Sequence, residues 1–426
     1  MNNSAEAKVE VGFKQTEVGL IPEDWSCIKF GELISKLCYG PRFNSKDYSK
    51  SGNVKTIRGT DINSLGDILY EQVPIAQLPT VLVNEHKLID GDLVMITTAD
   101  CGLTGVYLDD GFSYIASAYA VRISLNKKAY PLFFKYIYQT NLATEQIELY
   151  IRKGTLGNLP GSDIYKLKFP LPPTLFEQKA IATALSDVDE LINSLEKLIA
   201  KKKAIKQGAM QELLGFGSAQ PTTPRKRLHE FSGDWVERKL GEIGDCIIGL
   251  TYSPSDVSDL GTLVLRSSNI QNNKLSFNDN VYVTSDIPEK LRNQMGDILI
   301  CVRNGSRNLI GKSAKIDERC SGETFGAFMS IFRSKYNDFL YHCFNSYPIK
   351  KQIEENLGAT INQITNKTLN SFDVWMPKDE KEMYSISNLL DDMDLEIDSL
   401  ETKKEKYKSV KAGMMQELLT GKIRLV

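Results

Sequence analysis

Gly208-Ala-Met-Gln-Glu-Leu-Leu214 returns as Gly413-Met-Met-Gln-Glu-Leu-Leu419, a shift of 205 positions (413 − 208). The same shift carries Ile181, Leu185, Asp187, Asp189, Ile192, Ser194, Leu195 and Glu196 onto Ile386, Leu390, Asp392, Asp394, Ile397, Ser399, Leu400 and Glu401. It holds again for Gly91-Asp92 and Gly296-Asp297, and Trp25 with Gly31-Glu32 answers to Trp235 with Gly241-Glu242. Small loop insertions account for the slight drift in spacing. A chain with two copies of one unit should carry two copies of one surface.

Each copy ends in a helix. Ile181, Leu185, Val188, Ile192, Leu195 and Ile199 fall at alternating steps of four and three, the spacing of a coiled-coil seam. The second copy repeats it with Ile386, Leu390, Met393, Ile397 and Leu400, and continues less regularly through Tyr407, Val410 and Met414. Phe169-Pro-Leu-Pro-Pro173 and Val374-Trp-Met-Pro377 stop the preceding strands, because proline cannot extend a helix backward. Gly215-Phe-Gly-Ser-Ala-Gln-Pro-Thr-Thr-Pro224 reads as a linker. The long stretches ahead of the helices hold short apolar or β-branched runs, such as Asp92-Leu-Val-Met-Ile-Thr-Thr98 and Asp297-Ile-Leu-Ile-Cys-Val302, punctuated by Gly, Asn, Asp and Ser. The expected order is a globule over 1–175, a helix over 176–214, a linker over 215–230, a second globule over 231–378 and a second helix over 379–420. The fold class is α+β: two β-rich globules joined by a pair of long antiparallel coiled-coil helices, an internal repeat with pseudo-twofold symmetry. A helix of this length spans roughly 57 Å, more than the roughly 34 Å of one DNA turn.

Composition narrows the class. The chain has 426 residues, 42% of them apolar and 25% charged, as in an ordinary globular protein of two or three domains. The polar, acidic start MNNSAEAKVEVG is not expected to be a signal peptide. No run approaches the roughly 20 apolar residues of a membrane helix, so no membrane partner is expected. The seven cysteines are scattered without a Cys-x-x-Cys pair, which suits a reducing cytoplasm better than a disulfide or zinc framework. A net charge of −2 gives no global argument for nucleic acid, so such a function must rest on local charge.

The chain resembles the DNA-specificity subunit of type I restriction–modification enzymes over nearly its whole length. The resemblance is carried by Gly19-Leu-Ile-Pro-Glu-Asp-Trp25, Gly249-Leu-Thr-Tyr-Ser-Pro254, Val264-Leu-Arg-Ser-Ser-Asn-Ile270, Gly296-Asp-Ile-Leu-Ile-Cys-Val-Arg-Asn-Gly-Ser306 and Gly358-Ala-Thr-Ile-Asn-Gln-Ile-Thr365. Their duplicated order, closed by the Gln-Glu-Leu-Leu helices, makes the likeness specific. It implies two target-recognition domains, each reading half of a bipartite sequence in double-stranded DNA. It also implies helices that fix the separation of the domains and dock two methyltransferase subunits, with restriction (translocase) subunits completing the complex. S-adenosylmethionine, ATP and Mg are then expected on those partner chains, with no cofactor or metal here. The first half departs from the pattern: Thr56-Ile-Arg-Gly-Thr-Asp-Ile62 stands for the Arg-Ser-Ser-Asn string, and Thr97-Thr-Ala-Asp-Cys-Gly102 for the Arg-Asn-Gly-Ser one. Divergence there is expected if the two halves read different sequences.

Within this frame, DNA contacts are expected at Arg42, Lys46, Arg58, Thr60, Asp61, Thr97 and Thr98 in the first half. In the second they are expected at Tyr252, Arg266, Ser267, Ser268, Asn269, Arg303, Asn304, Ser306, Arg307, Asn362 and Gln363. Arg can fork onto guanine O6 and N7, and Asn can bracket adenine N6 and N7. The plainer readings are a surface ion pair for Arg266, a solvated turn for the 303–308 loop, and backbone satisfaction for Asn362, Gln363 and Asn158. Lys201, Lys202, Lys203 and Lys206, with Lys403, Lys404, Lys406, Lys408 and Lys411, could face a DNA spacer, although charge runs on coils are usually solvated. The seam residues Ile181, Leu185, Val188, Ile192, Leu195, Ile386, Leu390, Met393, Ile397 and Leu400 are assigned to coil pairing and partner docking.

Catalysis finds no support in the residues. Gly305-Ser-Arg-Asn-Leu-Ile-Gly-Lys-Ser313 looks like a phosphate loop but has five residues between its glycines where that motif has four. His86, His229 and His342 are not spaced for metal binding, nor beside a nucleophile. Pro172-Pro173 lacks the flanking residues of an amino-methyltransferase motif. Trp25, Trp235 and Trp375 are expected in cores. The alternative to a DNA reader is a protein-binding coiled-coil scaffold whose globules grip a partner.

Overall fold

The computed structural model describes residues 11–217, 220–357 and 362–425. The polar stretch 1–10, Ser218 and Ala219 of the connecting segment, and Gly358-Ala-Thr-Ile361 of the second-half motif lie outside the described residues. Two compact units form, and they cut across the sequence copies. One comprises Met1–Glu196 with Lys403–Val426, and the other Lys197–Thr402. Each unit therefore combines one globule with parts of both long helices, Leu175–Leu213 and Glu380–Leu418.

The helices start where side chains can accept from otherwise orphaned amides. Thr174 Oγ1 accepts from Glu177 N at 3.2 Å and Asp379 Oδ1 from Lys381 N at 2.9 Å. In the first unit the helical segments run antiparallel, with Lys411 on Asp189 at 2.6 Å and Lys404 on Glu196 at 3.7 Å. In the second unit Lys202 meets Glu396 and Lys203 meets Glu401, both at 2.6 Å, and Lys206 meets Asp394. Lys206–Asp394 and Lys411–Asp189 are one contact written twice, since both members shift by 205 positions (411 − 206, 394 − 189). Lys411 and Asp189 are both buried, and Tyr136 also donates to Asp189 at 2.9 Å. Five of the lysines considered for a DNA spacer pair instead with carboxylates of the other helix. Lys408 pairs with Glu405 on its own helix at 3.1 Å.

Ile181, Leu185, Ile192, Leu195, Ile199, Ile386, Leu390 and Ile397 are buried, and Val188, Met393 and Leu400 half-buried. Val410, an expected continuation of the seam, faces solvent. The seam serves more than coil pairing. Ile181 and Leu185 enter the core of the first globule, and Ile386 and Leu390 that of the second. The expectation that Ile181, Leu185, Ile386 and Leu390 dock a partner is corrected, since they are buried within the chain's own cores.

The globules repeat one construction. In the first, a four-stranded sheet runs in the order Ile34–Tyr39, Ala120–Leu125, Leu93–Ile96, Thr104–Val106. A second sheet joins Val54–Ile57 in parallel to Tyr114–Ala116. In the second globule the sheet runs Asp245–Ile248, Met329–Arg333, Ile298–Cys301, Ser313–Lys315, and Thr262–Leu265 pairs in parallel with Thr324–Phe325. The repeated Gly-Asp pairs acquire a reason. Gly91 and Gly296 both turn the chain at φ +84°, and the buried Asp92 and Asp297 pair with Arg122 at 2.6 Å and Arg333 at 2.7 Å. The segment read as a linker contains a short hairpin, Phe216–Gly217 against Gln220–Pro224.

The Gln-Glu-Leu-Leu ends pack crosswise. Leu213 and Leu214, which close the first copy, are buried beside Trp235 in the second globule. Leu418 and Leu419, which close the second copy, are buried beside Ile21 and Trp25 in the first. Trp375, in contrast, is only half-buried at the rim of its core. Buried charge follows the same crossing. Glu382 accepts Arg227 through Nε at 2.8 Å and Nη2 at 2.5 Å, and Trp235 Nε1 at 3.2 Å. Glu177 accepts Arg424, whose Nη1 and Nη2 also fork onto Asp24 at 2.9 and 3.0 Å. Both glutamates are almost fully enclosed, so each needs its arginine.

Leu214→Ala should therefore destabilise the second globule although Leu214 belongs to the first sequence copy. The expected loss is about 2–5 kcal/mol. Hydrogen exchange should speed up in 298–302 and 339–344. Faster exchange confined to 21–33 would refute the crossed packing.

Candidate nucleic-acid interface

In the second unit three distant stretches meet on one surface. Strand Thr262–Leu265 delivers Arg266-Ser-Ser-Asn269, whose last three residues form a tight turn. Asn304 Nδ2 donates to Ser267 Oγ at 3.0 Å, tying the 303–307 loop to that turn. Asn304 N donates to Asn362 O at 3.3 Å, Asn362 Nδ2 to Gly305 O at 3.0 Å, and Ile364 N to Val302 O at 2.8 Å. Arg303 and Gln363 pair across an isolated antiparallel bridge. Sequence spacing gave no sign that 266–269, 303–307 and 362–363 share one face.

Their exposure separates two roles. Arg303, Ser306 and Arg307 are open to solvent, with Arg303 stacked 5.0 Å from the Phe328 ring centroid. Arg307 Nη2 donates to Glu354 O at 3.3 Å. Ser267, Ser268, Asn304, Asn362 and Gln363 are half-buried, as is Tyr252, which packs against Val264, Val283 and Ile287. Arg266 forms the ion pair of the plainer reading, with Asp279 at 2.9 Å. Asn269 is fully buried. Its Oδ1 accepts from Arg266 N at 2.9 Å, and its Nδ2 donates to Ser276 O and Asp279 O at 2.9 and 3.2 Å. The expectation that Asn269 reads a base is corrected: its polar atoms hold the turn together.

The first unit builds the same face from different residues. Strand Val54–Ile57 leads into Arg58-Gly-Thr-Asp61. Asp61 occupies the place of Asn269, fully buried and accepting from Arg58 N at 2.9 Å. It also takes Arg58 Nε and Nη2 at 2.9 Å each, which holds the guanidinium above its ordinary pKa. Asp61 is thus a positioning carboxylate, not a base contact. Thr97 is likewise buried, donating through N and Oγ1 to Tyr119 O at 2.9 and 3.1 Å. Thr98 and Asn158 form the bridge that answers to Arg303–Gln363, and Asn158 Nδ2 reaches Thr98 Oγ1 at 3.4 Å. Thr60 and Arg42 are exposed; Arg42 follows Gly40, which presses against Ala116 and Ser117. Lys46 is exposed on the separate turn Ser45–Asp47, which is tied through Asp47 O to Gln77 N at 2.8 Å.

Two features of these faces escaped sequence reading. Arg152 and Lys153 stand exposed on the loop that returns through Asn158, Arg152 N and Asn158 O bonding at 2.8 Å. The basic pair before Gly154 was a legible signal. Tyr119 and Phe328 are exposed beside the loops of their units, marked only by an Ala-aromatic step after Ser117 and Gly326.

Among the described residues one grouping has the composition of a metal site. His342, Asp391 and Asp394 bring one ligand atom each within 4.8 Å of one another, a grouping that no spacing announced. His342 Nε2 is already 2.9 Å from Asp391, and Lys206 already neutralises Asp394. Burial pushes the thiols of Cys246 and Cys320 up to about 12 and that of Cys301 up to about 11, so at neutral pH they stay protonated and weakly nucleophilic. Among the described residues no helix is long and apolar enough to cross a membrane.

Asn269→Ala removes four hydrogen bonds from a buried site and should cost about 1–3 kcal/mol. Ser306→Ala, on an exposed loop, should stay within about 0.5 kcal/mol. Chemical denaturation of both variants checks the contrast, and equal stabilities would mean that Asn269 does not hold the turn.

Comparisons with known proteins agree with this duplicated construction. The family model for the type I restriction modification DNA specificity domain matches twice, over residues 22–207 and 232–408. The type I restriction enzyme MjaVIII specificity subunit of Methanocaldococcus jannaschii is 26% identical over 434 aligned positions, covering 98% of this chain and 97% of the relative. The crystal structure of an S subunit from M. genitalium superposes with a TM-score of 0.59 at 16% identity, over 92% of this chain and 96% of that one. A chain from a structure of complex assembly in the type I restriction–modification system reaches 0.57 at 18% identity, over 95% and 99%. With two matched domains that together span most of its length, the chain belongs to the type I restriction–modification DNA specificity family.

Proposed function

We propose that each globule reads one half of a bipartite site in double-stranded DNA, using its three-loop face in a major groove. The observation that carries this reading is the recurrence of one construction with different residues. Arg58-Gly-Thr-Asp61 and Arg266-Ser-Ser-Asn269 share a buried positioning side chain and diverge at the residues around it. A shared support with differing tips is what two readers of different sequences need. Arg303, Ser306 and Arg307 in the second half, and Arg42, Arg58, Thr60, Thr98, Arg152 and Lys153 in the first, are the DNA contacts of this proposal. Half-buried Arg266, Ser267, Ser268, Asn304, Asn362 and Gln363 line the same surface.

The chain does no chemistry in this reading. Two methyltransferase subunits using S-adenosylmethionine, and restriction subunits using ATP and Mg, are separate proteins that meet it in the cytoplasm. With a net charge of −2, the chain alone has little phosphate attraction, and its partners supply the rest of the electrostatic grip. A protein-gripping scaffold would differ in one measurable respect, since its affinity would fall little with salt where DNA binding weakens steeply.

Replacing residues 235–375 with the equivalent part of a relative, in a host that carries the partner subunits, should alter one half of the methylated motif. A change in both halves, or in neither, would end the modular reading. In the same complex, a base-reading Arg303 or Arg307 changed to Ala should cost about 1–3 kcal/mol and relax one position, whereas a phosphate-binding one should weaken all sequences alike. Unchanged binding in both variants would move the contact surface elsewhere.

A further inference from the structure

Two aromatic rings stand in the open at matching places. Tyr119 is 65% exposed and Phe328 56%. Each lies on the tight turn between the parallel strand of its globule (Tyr114–Ala116 or Thr324–Phe325) and a central strand of the four-stranded sheet (Ala120–Leu125 or Met329–Arg333). The turns close in the same way, Ala120 N donating to Ser117 O at 3.0 Å and Met329 N to Gly326 O at 2.8 Å.

The backbone beneath each ring is held from further sides. Tyr119 O accepts from Thr97, and Phe328 O accepts from Val302 N and Arg303 N at 3.1 Å each. A glycine presses on each turn: a Cβ on Gly40 would lie 2.0 Å from Ala116 O, and one on Gly249 would lie 2.1 Å from Gly326 O. A rigid turn thus presents a flat apolar ring to solvent beside the loops just described. One exposed ring on a protein surface is ordinary. A ring kept at one place in both copies, between loops that have diverged, is not.

Tyrosine and phenylalanine share the ring and not the hydroxyl, so the property in common is the flat apolar face. In a duplex, whose base faces are already stacked on one another, such a face meets base edges in the major groove, above all the apolar thymine methyl. Arg303 stacked on Phe328 extends the surface with a planar cation. We propose that Tyr119 and Phe328 are the apolar base contacts of their half-sites, each ring lying against a thymine methyl in the major groove while the neighbouring polar loops read the adjacent base pairs. This rests on the DNA-reading function proposed above and adds to it the residues and the kind of contact.

The test uses the full complex with its methyltransferase partners and measures binding to the target duplex and to a scrambled one. Tyr119→Ala and Phe328→Ala should each lower target affinity by about five- to a hundredfold, the range expected for losing one base contact in a duplex site. Each should relax the motif in one half only, and not the same half. The salt dependence of binding should stay as in the wild type, because no phosphate contact is lost. Tyr119→Phe and Phe328→Tyr should restore the affinity. Target affinity unchanged in both alanine variants would overturn the inference, and so would an equal loss on target and scrambled DNA. A wild-type complex that cannot tell the two duplexes apart would instead bring down the underlying reading, and this one with it.

Discussion

The structure depends on an exchange of helix ends. Leu213 and Leu214 complete a core built around Trp235, and Leu418 and Leu419 complete one built around Trp25. Neither sequence copy encloses its hydrophobic residues alone, because each lacks the cap that the other provides. Burial of a leucine pair is a large term against the few kcal/mol by which domains are stable. The enclosed Glu177 and Glu382 reinforce it, since an unpaired buried carboxylate is costly and each arginine partner follows the helix of the other copy. This is why the Gln-Glu-Leu-Leu strings and the tryptophans resemble their counterparts so closely. They must fit each other across the copies, whereas Arg58-Gly-Thr-Asp61 and Arg266-Ser-Ser-Asn269 have diverged.

The long helices were legible because apolar residues at steps of four and three suit a helix seam and little else, and the repeat doubled the signal. The paired Gly-Asp steps were legible as a repeat but not as a reason. That required seeing Asp92 and Asp297 enclosed against Arg122 and Arg333. The antiparallel pairing was legible, but not that the Leu-Leu end of each helix would enter the core of the other copy's globule, since similar copies pack equally well on paper within a copy or across it. The lysine tracts were misleading for a related reason: a string of Lys names a charge without its partner, and the carboxylates lay on the other helix. Among the loops, residue type could not tell Arg303, which is open, from Asn269, which is sealed inside its turn. Exposure is set by the three-dimensional neighbours Ser276 and Asp279, and nothing local to Asn269 announces them.

The reciprocal ion pairs carry a consequence for how such chains change. Each long helix bears both members, a lysine for the other helix's aspartate and an aspartate for the other helix's lysine. In engineering terms the coil is a hermaphroditic connector, with plug and socket on every copy. A joint of this kind does not register which reading head sits on either side. A globule carried on a helix with this pattern meets another in the same ion-pair register, as long as its core accepts the Leu-Leu end of the other helix. Exchange of whole heads between related chains then needs no compensating change in the coil, so new combinations of half-sites are open to recombination where point mutation of the loops would have to rebuild each reader residue by residue.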